Sequence, residues 1–136
     1  MLRPVEQWGY YGEAEFVAKQ EDNAFCVSVK ETTPDDWNIQ CQIHNVPLTR
    51  GKEYRITFKA SCTTPGEMSL GINRFDDGAY PTCFWEKVYL TEELREYSVT
   101  FTMKKETNYD WYLNFNFGGI AGDYVIQDVV MEEITQ

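Results

Sequence analysis

Apolar side chains recur at every second position along most of this chain, and this period constrains its fold more than any other feature. In residues 95–103, for example, Val99 and Phe101 alternate with Ser98 and Thr100. Successive side chains of a β-strand point to opposite faces of the sheet. Each alternating stretch therefore predicts a strand that buries one face and exposes the other.

Nine stretches share this alternation and are rich in β-branched and aromatic residues. They are 13–19, 24–30, 37–43, 53–62, 67–73, 84–90, 95–103, 111–117 and 123–131. Gly-, Pro- and Asp-containing turns separate them, and no window keeps a helical period. The pattern predicts an all-β fold, a sandwich or barrel of about nine antiparallel strands, in one domain covering residues 1–136.

The charge balance limits the partners that such a domain can have. Twelve basic and 22 acidic residues give a formal net charge of -10, which argues against nucleic acid and anionic membranes. It suits a neutral ligand or a bound cation such as calcium. No apolar run is long enough to span a bilayer, and the first residues do not resemble a signal peptide. A module cut from a longer secreted chain is favoured over a cytosolic protein.

The cysteines give no sign of a metal site. Cys26, Cys41, Cys62 and Cys83 form no CxxC pair, and the single histidine, His44, does not complete a zinc set at the usual spacing. Four free, mostly buried thiols are the favoured interpretation. A disulfide and a catalytic thiol remain as alternatives.

Side-chain amides cluster on the outer face of two predicted strands. In 111–117, one face carries Trp111, Leu113, Phe115 and Phe117, and the other carries Tyr112, Asn114 and Asn116. In 37–43, alternation places Trp37 with Ile39, Cys41 and Ile43 on the core side, opposite Asn38, Gln40 and Gln42. Other strands carry charges and hydroxyls outside, so the uncharged amides call for a specific explanation.

A carbohydrate matches a face of amides and aromatic rings. Its hydroxyls both donate and accept, as an amide does, and its C–H face packs on an aromatic ring. Gln40, Gln42, Asn114 and Asn116 are the candidate hydrogen-bonding residues. The candidate stacking residues are Tyr80, Trp85 and Tyr112, with Trp37 as a weaker one, and Arg74 is a candidate charged donor. Solvated amides and aromatic residues with only a structural role are the alternative reading.

Two other classes of function compete with sugar binding. A glycoside hydrolase needs two carboxylates facing each other across a cleft, but the acidic residues fall mostly in turns. A serine or cysteine nucleophile would need His44 as its base, without a supporting motif. The second alternative is a β-sandwich that only spaces neighbouring domains or binds a protein.

Three segments resemble carbohydrate-binding modules of the family 4, 9 and 22 type. They are WNIQCQIHNVPLTRGKEYRITFKASC, LTEELREYSVTFTM and LNFNFGGIAGDYVIQDVVMEE, and their order and spacing match those modules. The resemblance implies a β-jelly-roll of two antiparallel sheets with a ligand cleft on the concave one. It also implies a non-catalytic, extracellular, monomeric module that is tethered to a polysaccharide-degrading enzyme. Its ligand would be a single soluble β-glycan chain such as the β-glucan, xyloglucan or xylan of plant cell walls.

The resemblance also assigns individual residues. Tyr80 matches a loop aromatic that stacks on sugar, Tyr112 and Asn116 match cleft positions, and Gln40 matches the Gln of a W-x-x-Q strand. Asp128 matches a last-strand Asp that helps to hold a structural calcium ion with an acidic residue near the N-terminus. Here Glu6 or Glu13 would be that partner, although the usual Asn-Gly-x-Phe-Glu opening is missing.

Overall fold

The computed structural model describes residues 2–134, which form two five-stranded antiparallel sheets packed face to face. The ten strands are β1 Gly9–Tyr11, β2 Glu15–Lys19, β3 Ala24–Val29, β4 Gln40–Leu48, β5 Glu53–Cys62, β6 Gly66–Asn73, β7 Thr82–Leu90, β8 Arg95–Thr102, β9 Asn108–Asn116 and β10 Gly122–Ile134. Three short 3₁₀ helices are Val5–Gln7, Gln20–Asp22 and Asp36–Asn38. The first sheet has the order β1-β4-β9-β6-β7 and the second β2-β3-β10-β5-β8. This confirms the predicted all-β jelly-roll sandwich.

Alternation along the strands builds the core between the two sheets. The apolar face of β9 and the residue after it are entirely inside, as are the predicted inward residues of β5. Phe115 of β9 packs edge-on against Phe58 of β5, with ring centroids 5.2 Å apart. Phe84 and Phe101 stack across the sandwich at 4.7 Å. Burial of these large rings provides the main stabilisation of the fold.

The structure corrects several predicted strand boundaries, three of which bear on the site or on the last strand. Strand β1 was not predicted, β4 begins at Gln40 rather than at residue 37, and β10 continues to Ile134 beyond a bulge at Asp128. Trp37 consequently lies in a 3₁₀ helix and is 52% exposed. Its predicted place on the core face of a strand is wrong, because the helix interrupts the alternation before β4.

The cysteines are free thiols in this structure. Cys41 and Cys62 are buried, while Cys26 and Cys83 are partly covered. Burial raises the pKa of Cys83 to about 12, so its thiol is protonated at neutral pH. Among residues 2–134, no helix has the length and apolar character needed to cross a membrane.

Candidate functional site: a cleft across the first sheet

A cleft of about 610 Å³ lies on the side of the first sheet that faces away from the core. Its lining residues are Tyr11, Asp36, Trp37, Gln40, Gln42, Asn73, Tyr80, Thr82, Trp85, Tyr112, Asn114 and Asn116. Five strands spaced about 4.8 Å apart give the sheet a width of roughly 19 Å. The structure brings together eight of the nine residues predicted to bind a sugar, including Trp37.

Aromatic rings reach the cleft from both edges of the sheet and from its loops. Trp85 stands on edge strand β7 and Tyr11 on edge strand β1, while Tyr112 lies on the central strand β9. Trp37 and Tyr80 come from the segments before β4 and β7. Four of these rings have exposed fractions from 42% for Tyr11 to 61% for Tyr80, and Tyr112 is half-buried. Grouped exposed aromatic surface of this kind indicates a ligand site.

Arg74, predicted as a charged donor to the ligand, lies outside the cleft lining. Its guanidinium hydrogen-bonds to Asp110 and lies 3.6 Å from a carboxylate oxygen of Asp76 and 3.7 Å from one of Glu106. Its backbone N–H donates to the carbonyl of Pro81. These contacts hold both ends of the loop that carries Tyr80, so Arg74 positions a cleft aromatic.

The polar side chains of β4 form a chain of hydrogen bonds at one end of the cleft. Nε2 of Gln40 donates to the Trp37 carbonyl at 2.8 Å, and Nε2 of Gln42 donates to Oε1 of Gln40 at 2.8 Å. His44 Nε2 lies 2.9 Å from the Oε1 of Gln42 and therefore acts as the donor. The His44 ring also packs against Tyr112, with centroids 5.2 Å apart.

A second chain of hydrogen bonds runs along the cleft floor, parallel to strands β6 and β9. Oγ of Ser69 donates to Oδ2 of Asp36 at 2.6 Å, and Nδ2 of Asn116 donates to Ser69 at 3.0 Å. The same Nδ2 donates to Oδ1 of Asn114 at 3.0 Å. Both protons of the Asn116 amide are therefore used within the protein.

The floor chain continues from Asn114 to the other side of the cleft. Nδ2 of Asn114 donates to Oδ1 of Asn73 at 2.8 Å, and Nδ2 of Asn73 donates to Oγ1 of Thr82 at 2.6 Å. Asn114 and Asn116 are only 4% and 3% exposed. They face the cleft as predicted, but most of their hydrogen-bonding capacity is already used to hold the floor rigid.

The cleft tyrosines stay uncharged at neutral pH. Burial, with the nearby phenols of Tyr80 and Tyr11, raises the pKa of Tyr112 above its ordinary value of 10.0. Burial and the Tyr80 phenol also raise the pKa of Tyr11. Asp36 is the one acidic residue of the lining, and the lining residues include no lysine or arginine.

Comparison with known families identifies the family to which the chain belongs. The family model described as "Carbohydrate binding domain" (CBM_4_9) matches residues 3–122. The chain belongs to this family. Among curated proteins, none matches the chain significantly.

Solved structures share the fold of this carbohydrate-binding domain. One titled "CBM4 structure and function" is 22% identical with a TM-score of 0.80, covering 93% of this chain and 86% of its own. The second N-terminal cellulose-binding domain of Cellulomonas fimi β-1,4-glucanase C is 22% identical with a TM-score of 0.80, covering 99% and 92%. The CBM22-1 xylan-binding domain of Paenibacillus barcinonensis Xyn10C is 10% identical with a TM-score of 0.68, covering 100% and 94%.

Four cleft residues of this carbohydrate-binding domain were not predicted from the sequence. Tyr11 lies on the short strand β1, and Asn73 and Thr82 end β6 and begin β7. Asp36 lies in the 3₁₀ helix before β4, and its sequence context is that of an acidic residue in a turn. Asn73 continues the alternation of β6 on the cleft side, which is the one local signal that pointed to it.

Gly118 explains how the Asp36 segment comes to lie against the end of β9. The Gly118 N–H donates to the Asp36 carbonyl at 2.8 Å. A Cβ atom at Gly118 would lie 2.2 Å from Oγ1 of Thr33 and 2.8 Å from the Asp36 carbonyl oxygen. Only glycine permits this approach, which places the Asp36 carboxylate beside Ser69.

The residues around Asp128 do not fit a calcium site. Oδ1 of Asp128 accepts a hydrogen bond from Asn23 at 3.2 Å, and Oδ2 lies 3.4 Å from the ammonium of Lys59. Within residues 2–134, no three Asp, Glu, His or Cys side chains come together to hold a metal. Calcium prefers six or more oxygen ligands, and here a lysine already supplies the positive charge.

Proposed function

We propose that this domain is a non-catalytic module that binds a single soluble β-linked glycan chain in the cleft of the first sheet. The observation that carries this proposal is the group of five exposed or half-exposed aromatic rings around an uncharged amide floor. Aromatic rings match the C–H faces of pyranoses, and the polar rim matches their hydroxyls. The width of the sheet favours a chain of several sugar units over a monosaccharide.

Stacking should provide most of the affinity. A stacked ring contributes on the order of 1–3 kcal/mol, whereas a neutral hydrogen bond that competes with water nets about 0.5–1.5 kcal/mol. The floor amides are already paired, which lowers their share further. Tyr80, Trp85 and Tyr112 are therefore the principal binding residues, with Tyr11 and Trp37 extending the stacking surface.

The single carboxylate of the lining supports a non-catalytic role. Glycoside hydrolases ordinarily place two carboxyl groups across the scissile bond. Among the described residues, Asp36 is the only one on the cleft lining with a carboxyl group. One oxygen of that carboxylate accepts a hydrogen bond from Ser69. We infer a tethered role beside a catalytic domain in a secreted, extracellular enzyme, where the module keeps that domain near its polysaccharide.

Affinity electrophoresis against soluble polysaccharides, followed by calorimetry with oligosaccharides of the retarding polymer, tests the proposal. The panel contains mixed-linkage β-glucan, hydroxyethylcellulose, xyloglucan, xylan and mannan. We expect retardation by at least one β-glycan and a loss of affinity of about tenfold or more in Trp85→Ala and Tyr112→Ala. Tyr109→Ala is the matched control, because Tyr109 is 74% exposed on the same strand as Tyr112 but lies outside the cleft.

Three results would overturn the proposal. Retardation by none of the polymers would favour a spacer or protein-binding domain. Equal binding by the parent and both cleft variants would place the site elsewhere. Release of reducing sugar from a polymer would indicate an enzyme.

A further inference from the structure

We propose that Asp36 makes the cleft select neutral glycans against glycans that carry carboxylate groups. This inference rests on the proposed function, because it concerns the selectivity of the same cleft. Asp36 lies in the 3₁₀ helix before β4, it is half-buried, and its carboxylate lines the cleft. Three features of its surroundings allow this single charge to affect which glycans bind.

The first feature is that Asp36 fixes the direction of the hydrogen bonds in the floor. A carboxylate only accepts, so Ser69 must donate its hydroxyl proton to Asp36. The Ser69 oxygen is then free to accept from Nδ2 of Asn116, which turns the Asn116 amide so that its nitrogen faces Ser69 and Asn114. Asn114 must in turn present its oxygen to Asn116 and its nitrogen to Asn73.

The second feature is an excess of acceptors at the Asp36 end of the floor. With both amide protons of Asn116 used, its Oδ1 is buried and accepts no hydrogen bond from the described residues. An acceptor without a donor adds to the negative potential that the Asp36 carboxylate already creates. The other end of the chain closes on the hydroxyl of Thr82, which is neutral. The floor is therefore polarised, with its negative end at Asp36.

The third feature is that no lysine or arginine of residues 2–134 forms an ion pair with Asp36. The lining includes no lysine or arginine, and Arg74 is engaged by three carboxylates outside it. Lys87 lies opposite Ser69 on edge strand β7, but its ammonium packs over the Trp85 ring, 5.5 Å from the ring centre, and does not pair with Asp36. The net charge of -10 adds a repulsive background for any anion.

These features act in opposite directions on the two kinds of glycan. A sugar hydroxyl can donate to the free lone pairs of Asp36, and a hydrogen bond to a carboxylate is shorter and stronger than a neutral one. A carboxylate on the glycan at this end of the cleft would face the Asp36 carboxylate, which no cation of the described residues pairs with. Screening by salt weakens that repulsion, since the Debye length is about 8 Å at physiological ionic strength.

The test compares neutral and anionic derivatives of one backbone. Hydroxyethylcellulose and carboxymethylcellulose form one pair, and unsubstituted xylan and glucuronic-acid-substituted xylan form another. At low salt we expect the parent to bind the neutral member about tenfold or more tightly, with the preference shrinking as salt is added. Asp36→Asn keeps an oxygen to accept from Ser69 and removes the charge, and we expect it to bring both members within about threefold of each other.

Asp35→Asn is the matched control. Asp35 is the neighbouring carboxylate, it caps the same 3₁₀ helix, and it lies outside the cleft lining; asparagine caps a helix as well as aspartate does. We expect this variant to keep the neutral preference of the parent. Circular dichroism and thermal melting establish that both variants are folded.

The outcomes separate this inference from the proposed function. Binding of neutral polymers with equal binding of their anionic partners would overturn the role of Asp36 and leave the proposed function standing. A neutral preference that survives in Asp36→Asn, or that is lost equally in Asp35→Asn, would also overturn it. Binding to no polymer of the panel would overturn both.

Discussion

Gly71 on β6 lies directly opposite Trp85 on β7, on the cleft side of the first sheet. A Cβ atom at Gly71 would lie 3.0 Å from the Phe84 carbonyl oxygen, 3.4 Å from Cδ1 of Trp85 and 3.6 Å from Oδ1 of Asn114. The backbone of Gly71 is not in the left-handed region, so its role is to leave space. The gap keeps the inner side of the indole and the amide floor accessible to a ligand.

Filling this gap should weaken glycan binding. We expect Gly71→Ala to displace the Trp85 ring and to lower affinity about 2- to 12-fold, which corresponds to the roughly 0.5–1.5 kcal/mol of one ring contact. Gly71→Val should lower it further. Calorimetry measures the affinity, and a shift of tryptophan emission reports the movement of the indole. Unchanged affinity in both variants would show that the ligand does not use this side of Trp85.

Asn114 should matter more for stability than its place in a binding cleft suggests. It is buried, donates to Asn73 and accepts from Asn116. Asn114→Ala removes the acceptor of one Asn116 amide proton and the donor to Asn73, and we expect the free energy of unfolding to fall by roughly 1–3 kcal/mol. Urea denaturation measures this loss. Gln20 is exposed in the 3₁₀ helix between β2 and β3 of the second sheet. As the control, Gln20→Ala should change the free energy of unfolding by no more than about 0.5 kcal/mol.

An Asn114→Ala variant as stable as the parent would contradict the role of this buried hydrogen-bond chain in stability.

The sequence predicts that Asn114 faces away from the core, because the period of two assigns faces without knowledge of the partners. It does not predict that the amide is covered and paired, since its acceptor Asn73 reaches it from another strand. Burial of a polar side chain depends on its neighbours in space, and these are set by strand pairing.

The fold is largely predictable because one-sided burial leaves a strong periodic signal. The inward faces of β5, β8 and β9 follow from alternation alone. Strand β1 has three residues, one of them glycine, and is too short to show a period. Trp37 was misplaced because Asp35 and Asn38 cap a 3₁₀ helix that breaks the pattern just before β4.

The cleft was predictable where residue chemistry alone pointed to it. Amides and aromatics on outward faces indicated Gln40, Tyr112 and Trp85 before any contact was known. Asp36 has no such local signal, because an acidic residue in a turn is ordinarily solvated. Its proximity to Ser69 arises from the close approach at Gly118, which is a tertiary contact.

His44 should make the stability of the fold, but not its binding, depend on pH. Burial, with the nearby charge of Arg3, lowers the pKa of His44 below its ordinary value of 6.5. Between that lowered pKa and 6.5 the unfolded chain binds more protons, so the free energy of unfolding falls as the pH drops through this window. Protonated His44 still donates through Nε2 to Gln42, so the cleft geometry persists.

His44→Gln removes this titration and is the variant to compare. The parent should lose more thermal stability than His44→Gln between pH 7 and the lowered pKa, while both lose the same amount through their carboxylates. Melting curves across pH measure the difference, and calorimetry at the same pH values measures binding. Parallel melting profiles for the two proteins would contradict the assigned pKa shift.

Because Lys59 pairs with Asp128, calcium should not change the melting temperature of the domain. Its ammonium lies 3.4 Å from Oδ2 of Asp128, and Asn23 occupies Oδ1, so a calcium ion would have to displace a lysine that already neutralises the carboxylate. A ligand that binds only the folded state raises the melting temperature, by an amount that grows with its concentration over its Kd. We expect equal melting temperatures with excess calcium and with a chelator. A calcium-dependent rise that disappears in Asp128→Asn would show that Asp128 binds the ion despite Lys59.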